Sequence, residues 1–192
     1  LKVVETAPFY IFSTFVVSYA TTTLSYQKSQ ALESVTLGAL VATVMIPLMG
    51  LLSDKVGRQK MYTLSVVLLG LFIVPWFMLL DTGTTWAIML ATVVMFGILW
   101  APITAVLGTL CSEIFSANVR YTGITLGYQI GAALAGGTAP LIATGLLAKY
   151  DGDWVPVAWY LGTTVAISLT AIFFASRSKR QSAVVNAQTS QI

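Results

Sequence analysis

The sequence predicts an all-α membrane protein: a six-transmembrane-helix bundle built as an inverted 3+3 repeat. Three observations predict it. Six charge-free apolar runs follow one another along the chain, each near the roughly 20 residues that a hydrocarbon core requires. Of the 192 residues, 57% are hydrophobic and 9% charged, which is more apolar surface than one soluble core of this size can hide. Finally, the pattern Gly38-Ala39, Ala42, Pro47-Leu48 in the second run returns in the fifth, at the same offsets, as Gly131-Ala132, Ala135, Pro140-Leu141. Three helices separate the two copies, so the copies run in opposite directions through the bilayer, as an inverted repeat requires.

The runs place helices at about 6–27, 34–53, 61–80, 84–112, 121–148 and 154–176, a transmembrane unit over 1–177. In the first, Tyr10, Ser13, Thr14, Val17, Ser18 and Thr21 recur at helical spacing and form a polar stripe suited to a water-filled path. The second ends in the hairpin Gly50-Leu51-Leu52-Ser53-Asp54-Lys55-Val56-Gly57-Arg58-Gln59-Lys60 before the third begins. There Gly50 allows close helix approach and Gly57 a left-handed turn, and Lys55, Arg58 and Lys60 mark a cytoplasmic corner. The fourth repeats a small and polar stripe at Gly97, Trp100, Ala101, Thr104 and Gly108, with Pro102 supplying a bend.

The fifth run carries Gly123, Gly127, Gly131 and Ala135 at four-residue spacing, a smooth ridge for packing or sliding. Its other face presents Thr125, Tyr128 and Gln129; an amide there belongs beside a cavity or a neighbouring helix. Gly136-Gly137-Thr138 followed by Pro140 interrupts this helix and marks a hinge. After the sixth run, 178–192 turns to Ser, Gln, Asn and Thr and reads as a disordered cytoplasmic tail. With the Gly50–Lys60 hairpin inside, Lys2, Lys55, Arg58, Lys60, Arg120, Arg177, Lys179 and Arg180 lie in the cytoplasm against Lys28 and Lys149 outside, and both ends are cytoplasmic.

Composition also excludes whole classes. The net charge of +3 is scattered among short loops and forms no groove for nucleic acid. There is no histidine, which removes imidazole catalysis and imidazole metal ligands, and Cys111 is alone, without an internal disulfide partner. No cofactor is implied, and no metal site. An enzyme in the bilayer would need a catalytic group that the runs do not supply. No Asp, Glu, Lys or Arg lies deep in any run, so an intramembrane ion carrier is expected outside this chain. The opening Leu1-Lys2-Val3-Val4-Glu5 has no signal-peptide pattern and reads as part of a longer protein.

Two stretches carry a resemblance. Gly50, Asp54, Lys55, Gly57 and Arg58 match the Gly-x-x-x-Asp-(Arg/Lys)-x-Gly-Arg-(Arg/Lys) loop signature of the major facilitator superfamily, departing at Gln59, with Lys60 one place late. Ser112-Glu113-Ile114-Phe115-Ser116-Ala117-Asn118-Val119-Arg120-Tyr121-Thr122-Gly123-Ile124-Thr125-Leu126-Gly127-Tyr128-Gln129 resembles the segment between helices ten and eleven of its metabolite:proton symporters, which include proline/betaine, α-ketoglutarate and shikimate permeases. It departs at Ser116, Ala117 and Thr125. The resemblance continues through Gly136-Gly137-Thr138-Ala139-Pro140-Leu141-Ile142-Ala143.

That resemblance implies helices seven to twelve of a twelve-helix transporter, whose missing N-terminal half is the principal partner alongside the lipid bilayer. It implies proton-coupled symport of a small polar metabolite by alternating access, in a bacterial inner membrane. Asp54, Gly57, Arg58, Glu113 and Arg120 would form the cytoplasmic gate. Tyr10, Ser13, Trp100, Thr104 and Gln129 would line the substrate cavity; Gly123, Gly127, Gly131 and Pro140 would serve packing or hinge motion. The competing readings are a truncated structural or assembly protein without transport and a transporter-derived solute sensor.

Overall fold

A computed structural model describes residues 1–114 and 120–189, with Arg120 and 177–189 described as backbone alone. Six helices are long and apolar enough to cross a membrane: α1 (Lys2–Thr22), α2 (Lys28–Val56), α3 (Arg58–Leu80), α4 (Thr85–Ile114), α5 (Tyr121–Lys149) and α6, whose apolar part is Val155–Ser176. The six expected runs correspond to them in order.

The ends differ in places, for local reasons. α1 stops at Thr22, five residues before its charge-free run ends. Thr21 and Thr22 turn their hydroxyls back onto the carbonyls of Val17 and Ser18 (2.8 and 2.7 Å), and Ser25 takes a left-handed φ of 58° that reverses the chain. Gln27 then caps α2 in a reciprocal box with Gln30, so α2 starts at Lys28 and carries Lys28 and Glu33 on its outer end. α6 continues as helix to Thr189, through most of the stretch read as a disordered tail. That stretch holds no Gly or Pro to stop a helix.

Gly57 alone separates α2 from α3. Its φ of 98° is closed to side-chain-bearing residues without strain; its N–H caps Ser53 O (2.8 Å) and its carbonyl accepts from Met61 N (3.0 Å). α5 breaks at Gly137 and Thr138, and Ala139-Pro140 opens its second segment, where a missing N–H costs nothing.

The two three-helix repeats interlace. α1 packs on α5 and α6 of the other repeat, and α4 packs on α2 and α3, a pattern unchanged when the repeats are exchanged. The glycines of the sequence echo lie at these crossings. A Cβ on Gly38 of α2 would meet the Phe96 ring of α4 at 3.1 Å, and one on Gly131 of α5 would meet Lys2 of α1 at 2.9 Å. The first helix of each repeat also loosens into π-helical turns, Ile11–Phe15 in α1 and Val93–Leu99 in α4, a deviation that often accompanies function.

α1, α3 and α4 form the core around Phe12, Phe15, Tyr19, Tyr62, Trp76 and Phe77, all buried, with Phe12 edge-on to Trp76 at 5.1 Å. The other extreme is α2: 11% of its most apolar window is buried, against 61% for α4. Leu40, Val44, Leu48 and Leu51 of α2 and Leu126, Ile130 and Leu134 of α5 are exposed, so these two helices hold apolar faces for lipid or for another bundle.

Candidate transport site and gates

Three helices converge where α5 can come close to α1. Side chains at Gly131 or Gly136 would collide with α1: a Cβ at 136 would lie 2.7 Å from both Thr6 Cγ2 and the Tyr10 ring. From α4, Trp100 is buried at the same level. Its Nε1–H donates to the Glu5 carbonyl (2.7 Å), and its ring sits 5.2 Å from those of Phe9 and Phe96. Trp100 lies roughly thirteen residues from Glu113, about 20 Å at 1.5 Å per residue, at the end of α4 expected to be the inner one, and a similar distance from Thr85 at the end expected to be the outer one. The junction is therefore near the middle of the membrane.

It contains charge. Lys2 Nζ lies 2.6 Å from Glu5 Oε2, the Thr6 hydroxyl donates to the same oxygen (2.7 Å), and the ammonium stands 4.5 Å from the centroid of the Tyr128 ring. The side chains of Lys2 and Glu5 are 19% and 12% exposed. This departs from the expectation that no charged residue lies deep in a span, since Lys2 and Glu5 fall within α1 and are mostly buried. Starting the helix at Thr6, just past the last charge, Glu5, hid the pair; the Lys-x-x-Glu spacing, which lets two opposite charges neutralise each other along one helix face, was the signal that could have found it.

On the face of α4 that carries Trp100 and Gly108, Thr104 has its hydroxyl buried with no hydrogen-bond partner among the described residues. A Cβ on Gly108, one turn on, would stand 3.6 Å from the Tyr128 hydroxyl. Towards the inner side, a cavity of about 260 Å³ lies between α1, α4, α5 and α6, lined by Lys2, Cys111, Gly123, Ile124, Gly127 and Tyr128 among others. Its ceiling is thus the charged junction.

The expected cavity residues separate. Tyr10 is 39% exposed and edge-on to Phe9, beside Gly136. Trp100 and Thr104 belong to the junction. Ser13 has its hydroxyl on the Phe9 carbonyl (2.7 Å), and Gln129 lies exposed on α5, one position past Tyr128. Of the ridge glycines, Gly131 touches α1, Gly123 and Gly127 border the cavity, and Gly127 has open space where a Cβ would stand. Pro140 opens the second segment of α5.

At the inner rim, Arg58 reaches from the start of α3 to two carboxylates: Nη2 to Asp54 Oδ1 at 2.9 Å and Nη1 to Glu113 Oε1 at the end of α4. Gly57 sets the corner from which it reaches. Arg120 begins the first segment of α5, and its side chain lies outside the described residues, as do 115–119 of the inner loop. The outer rim has a clamp that sequence reasoning did not single out. Asp81 accepts from the buried Tyr19 hydroxyl (2.8 Å) and from Trp154 Nε1 (2.7 Å), while Trp154 stacks on Phe77 at 5.0 Å. Tyr26 adds a bond to the Leu80 carbonyl (3.1 Å). An acid at a helix end followed by Thr-Gly-Thr reads as a solvated turn, which is why Asp81 was passed over.

A family model described as Major Facilitator Superfamily matches residues 3–190. The chain is 27% identical over 180 residues to the shikimate transporter of Escherichia coli, covering 94% of this chain and 41% of that protein. It is 32% identical over 142 residues to the ectoine/proline transporter ProP of Corynebacterium glutamicum, covering 74% of this chain and 28% of that protein. It is also 30% identical over 150 residues to a putative proline/betaine transporter of Staphylococcus aureus, covering 77% of this chain and 32% of that protein. The chain thus spans from under a third to about two fifths of the length of these relatives. No solved structure gave a significant match. With six interlaced spanning helices, the Gly50–Arg58 corner and a family match across almost its whole length, the chain belongs to the Major Facilitator Superfamily.

Proposed function

We propose that the chain is the C-terminal six-helix half of a secondary active transporter that carries a small polar metabolite by alternating access, in symport with protons. The observation that carries this reading is the polar, charged junction of α1, α4 and α5 at mid-membrane depth, since charge held there is costly and marks substrate or ion paths. The relatives support the chemistry. Shikimate, proline, betaine and ectoine all bear a carboxylate, and the junction holds both a cation and hydroxyl donors to receive one.

The companion half is proposed to cover the exposed apolar faces of α2 and α5. The two halves rock about the central site, and the Arg58 bridge to Asp54 and Glu113 stiffens the cytoplasmic corner that meets the companion. The orientation is both ends of this segment in the cytoplasm of a bacterial inner membrane; even without Lys2, the positive charges stand seven against two.

The test is uptake of labelled shikimate, proline, glycine betaine and ectoine into cells expressing the reading frame that contains this chain, with and without a protonophore. Concentrative uptake of at least one solute, abolished by the protonophore, is expected. Binding without uptake would replace transport by sensing.

A further inference from the structure

We infer that Glu5 and Lys2 form a competitive ion pair through which one proton and one substrate carboxylate exchange places, making the substrate a small monoanionic organic acid. This rests on the transporter reading above. The ammonium of Lys2 has two neighbours, the Glu5 carboxylate at 2.6 Å and the face of the Tyr128 ring at 4.5 Å. The Glu5 carboxylate in turn is held by Lys2 and Thr6 through one oxygen, Oε2.

The surroundings offer no other carboxylate among the described residues. α1 itself adds Tyr10. α3 brings Tyr62, whose hydroxyl donates to the Leu1 carbonyl; α4 brings Cys111, α5 brings Tyr128, and α6 lines the cavity with Ala171 and Ala175. Apart from Lys2 and Glu5, the polar side chains in that set are phenols and a thiol. Glu5 is therefore the proton acceptor and Lys2 the fixed cation of the junction.

Charge counting then gives the coupling. With Glu5 ionised and no substrate, Lys2 and Glu5 sum to zero. A proton on the Glu5 carboxylate breaks its ion pair with Lys2 and leaves the site at +1; a monocarboxylate bound to the Lys2 ammonium returns it to zero. The reverse sequence, loss of the substrate carboxylate and of the Glu5 proton, restores the original pair. Only the two neutral states can be sealed inside the bundle at low cost, because an uncompensated charge at this depth is heavily penalised. Empty-and-protonated and loaded-and-ionised are the two leak states, and both are charged. A zwitterion would leave the protonated, loaded site at +1, so the count favours an anion such as shikimate over proline or betaine. Thr104, with its buried unpartnered hydroxyl near Trp100, supplies a donor for the substrate's remaining oxygens.

The test uses the full transporter in proteoliposomes with labelled shikimate, comparing wild type, Glu5→Gln and the Lys2→Gln/Glu5→Gln double variant, which removes both charges and protects against misfolding from an unpaired Lys2. Wild type should accumulate shikimate down a proton gradient, with an affinity that falls as pH rises. Glu5→Gln should still exchange shikimate for shikimate but lose accumulation and the pH dependence of KM. The double variant should lose both uptake and exchange. Gradient-driven accumulation by Glu5→Gln, or shikimate exchange by the double variant at the wild-type rate, overturns the pair mechanism while leaving the transporter reading intact. No uptake of any solute by wild type overturns both.

Discussion

Two ion-paired clusters in this bundle use the same chemistry in opposite surroundings. At the inner rim Arg58 holds Asp54 and Glu113, with side chains 34%, 58% and 35% exposed, where water screens the attraction and either partner can be lost cheaply. At mid-membrane Lys2 holds Glu5 with 19% and 12% exposed, and Thr6 and Tyr128 take part of the load that water carries at the rim. The difference teaches what each pair is for. A rim pair can be made and broken as a gate without endangering the fold, whereas a pair inside the membrane is tolerable only while it stays neutral, so any partner exchange there must be stoichiometric.

The comparison is broken most severely at Glu5. Glu5→Ala leaves Lys2 unpaired at depth and is expected to cost about 3 to 5 kcal/mol of stability. Thermal unfolding in detergent checks this, and adding Lys2→Gln to the same chain should recover much of the loss. A variant as stable as wild type would mean that the junction is open to water.

Next comes the outer clamp, a charge paired with neutral donors. Asp81→Ala strands the buried Tyr19 hydroxyl and is expected to cost about 1 to 3 kcal/mol, while Asp81→Asn, which keeps an acceptor, should cost less. Gly57→Val, forced to a φ of 98° with a ψ of 127°, outside the left-handed helical basin, should cost about 1 to 3 kcal/mol through backbone strain alone. Chemical denaturation of these variants side by side ranks them.

The smallest stability effect is expected at the inner rim. Asp54→Asn should leave stability almost unchanged yet lower the uptake rate severalfold, because Arg58 would then bind Glu113 alone. Unchanged uptake would remove the corner from the gate.

How far the sequence could be read follows the same division. The six spans were legible because hydrocarbon thickness imposes length, and the inverted repeat because Gly38 and Gly131 sit at equivalent helix crossings. The bridge between Arg58 and Glu113 was legible because both residues belong to recognisable stretches. The junction was legible only in part. Helical spacing marks the faces that bear Trp100 and Thr104, but it says nothing about which face meets which helix once two repeats interlace. So Ser13 and Gln129 looked equivalent to Trp100, yet one bonds its own helix and the other faces outward on α5. Lys2 and Glu5 were hidden for a different reason. Charge served as a mark of the membrane's edge, and a self-neutralising pair defeats that mark. Asp81 was missed because its donors, Tyr19 and Trp154, are distant in sequence and meet it only in the folded bundle.

The most direct measurement is the number of protons taken up when shikimate binds. Calorimetric titration of the purified full transporter at a series of pH values, in buffers of different ionisation enthalpy, reads that number without any need for a gradient. Uptake of one proton for each shikimate bound is the expected result, with none for Glu5→Gln. Tight binding by wild type with no proton taken up at any pH would contradict the exchange of proton and carboxylate at the Lys2–Glu5 pair.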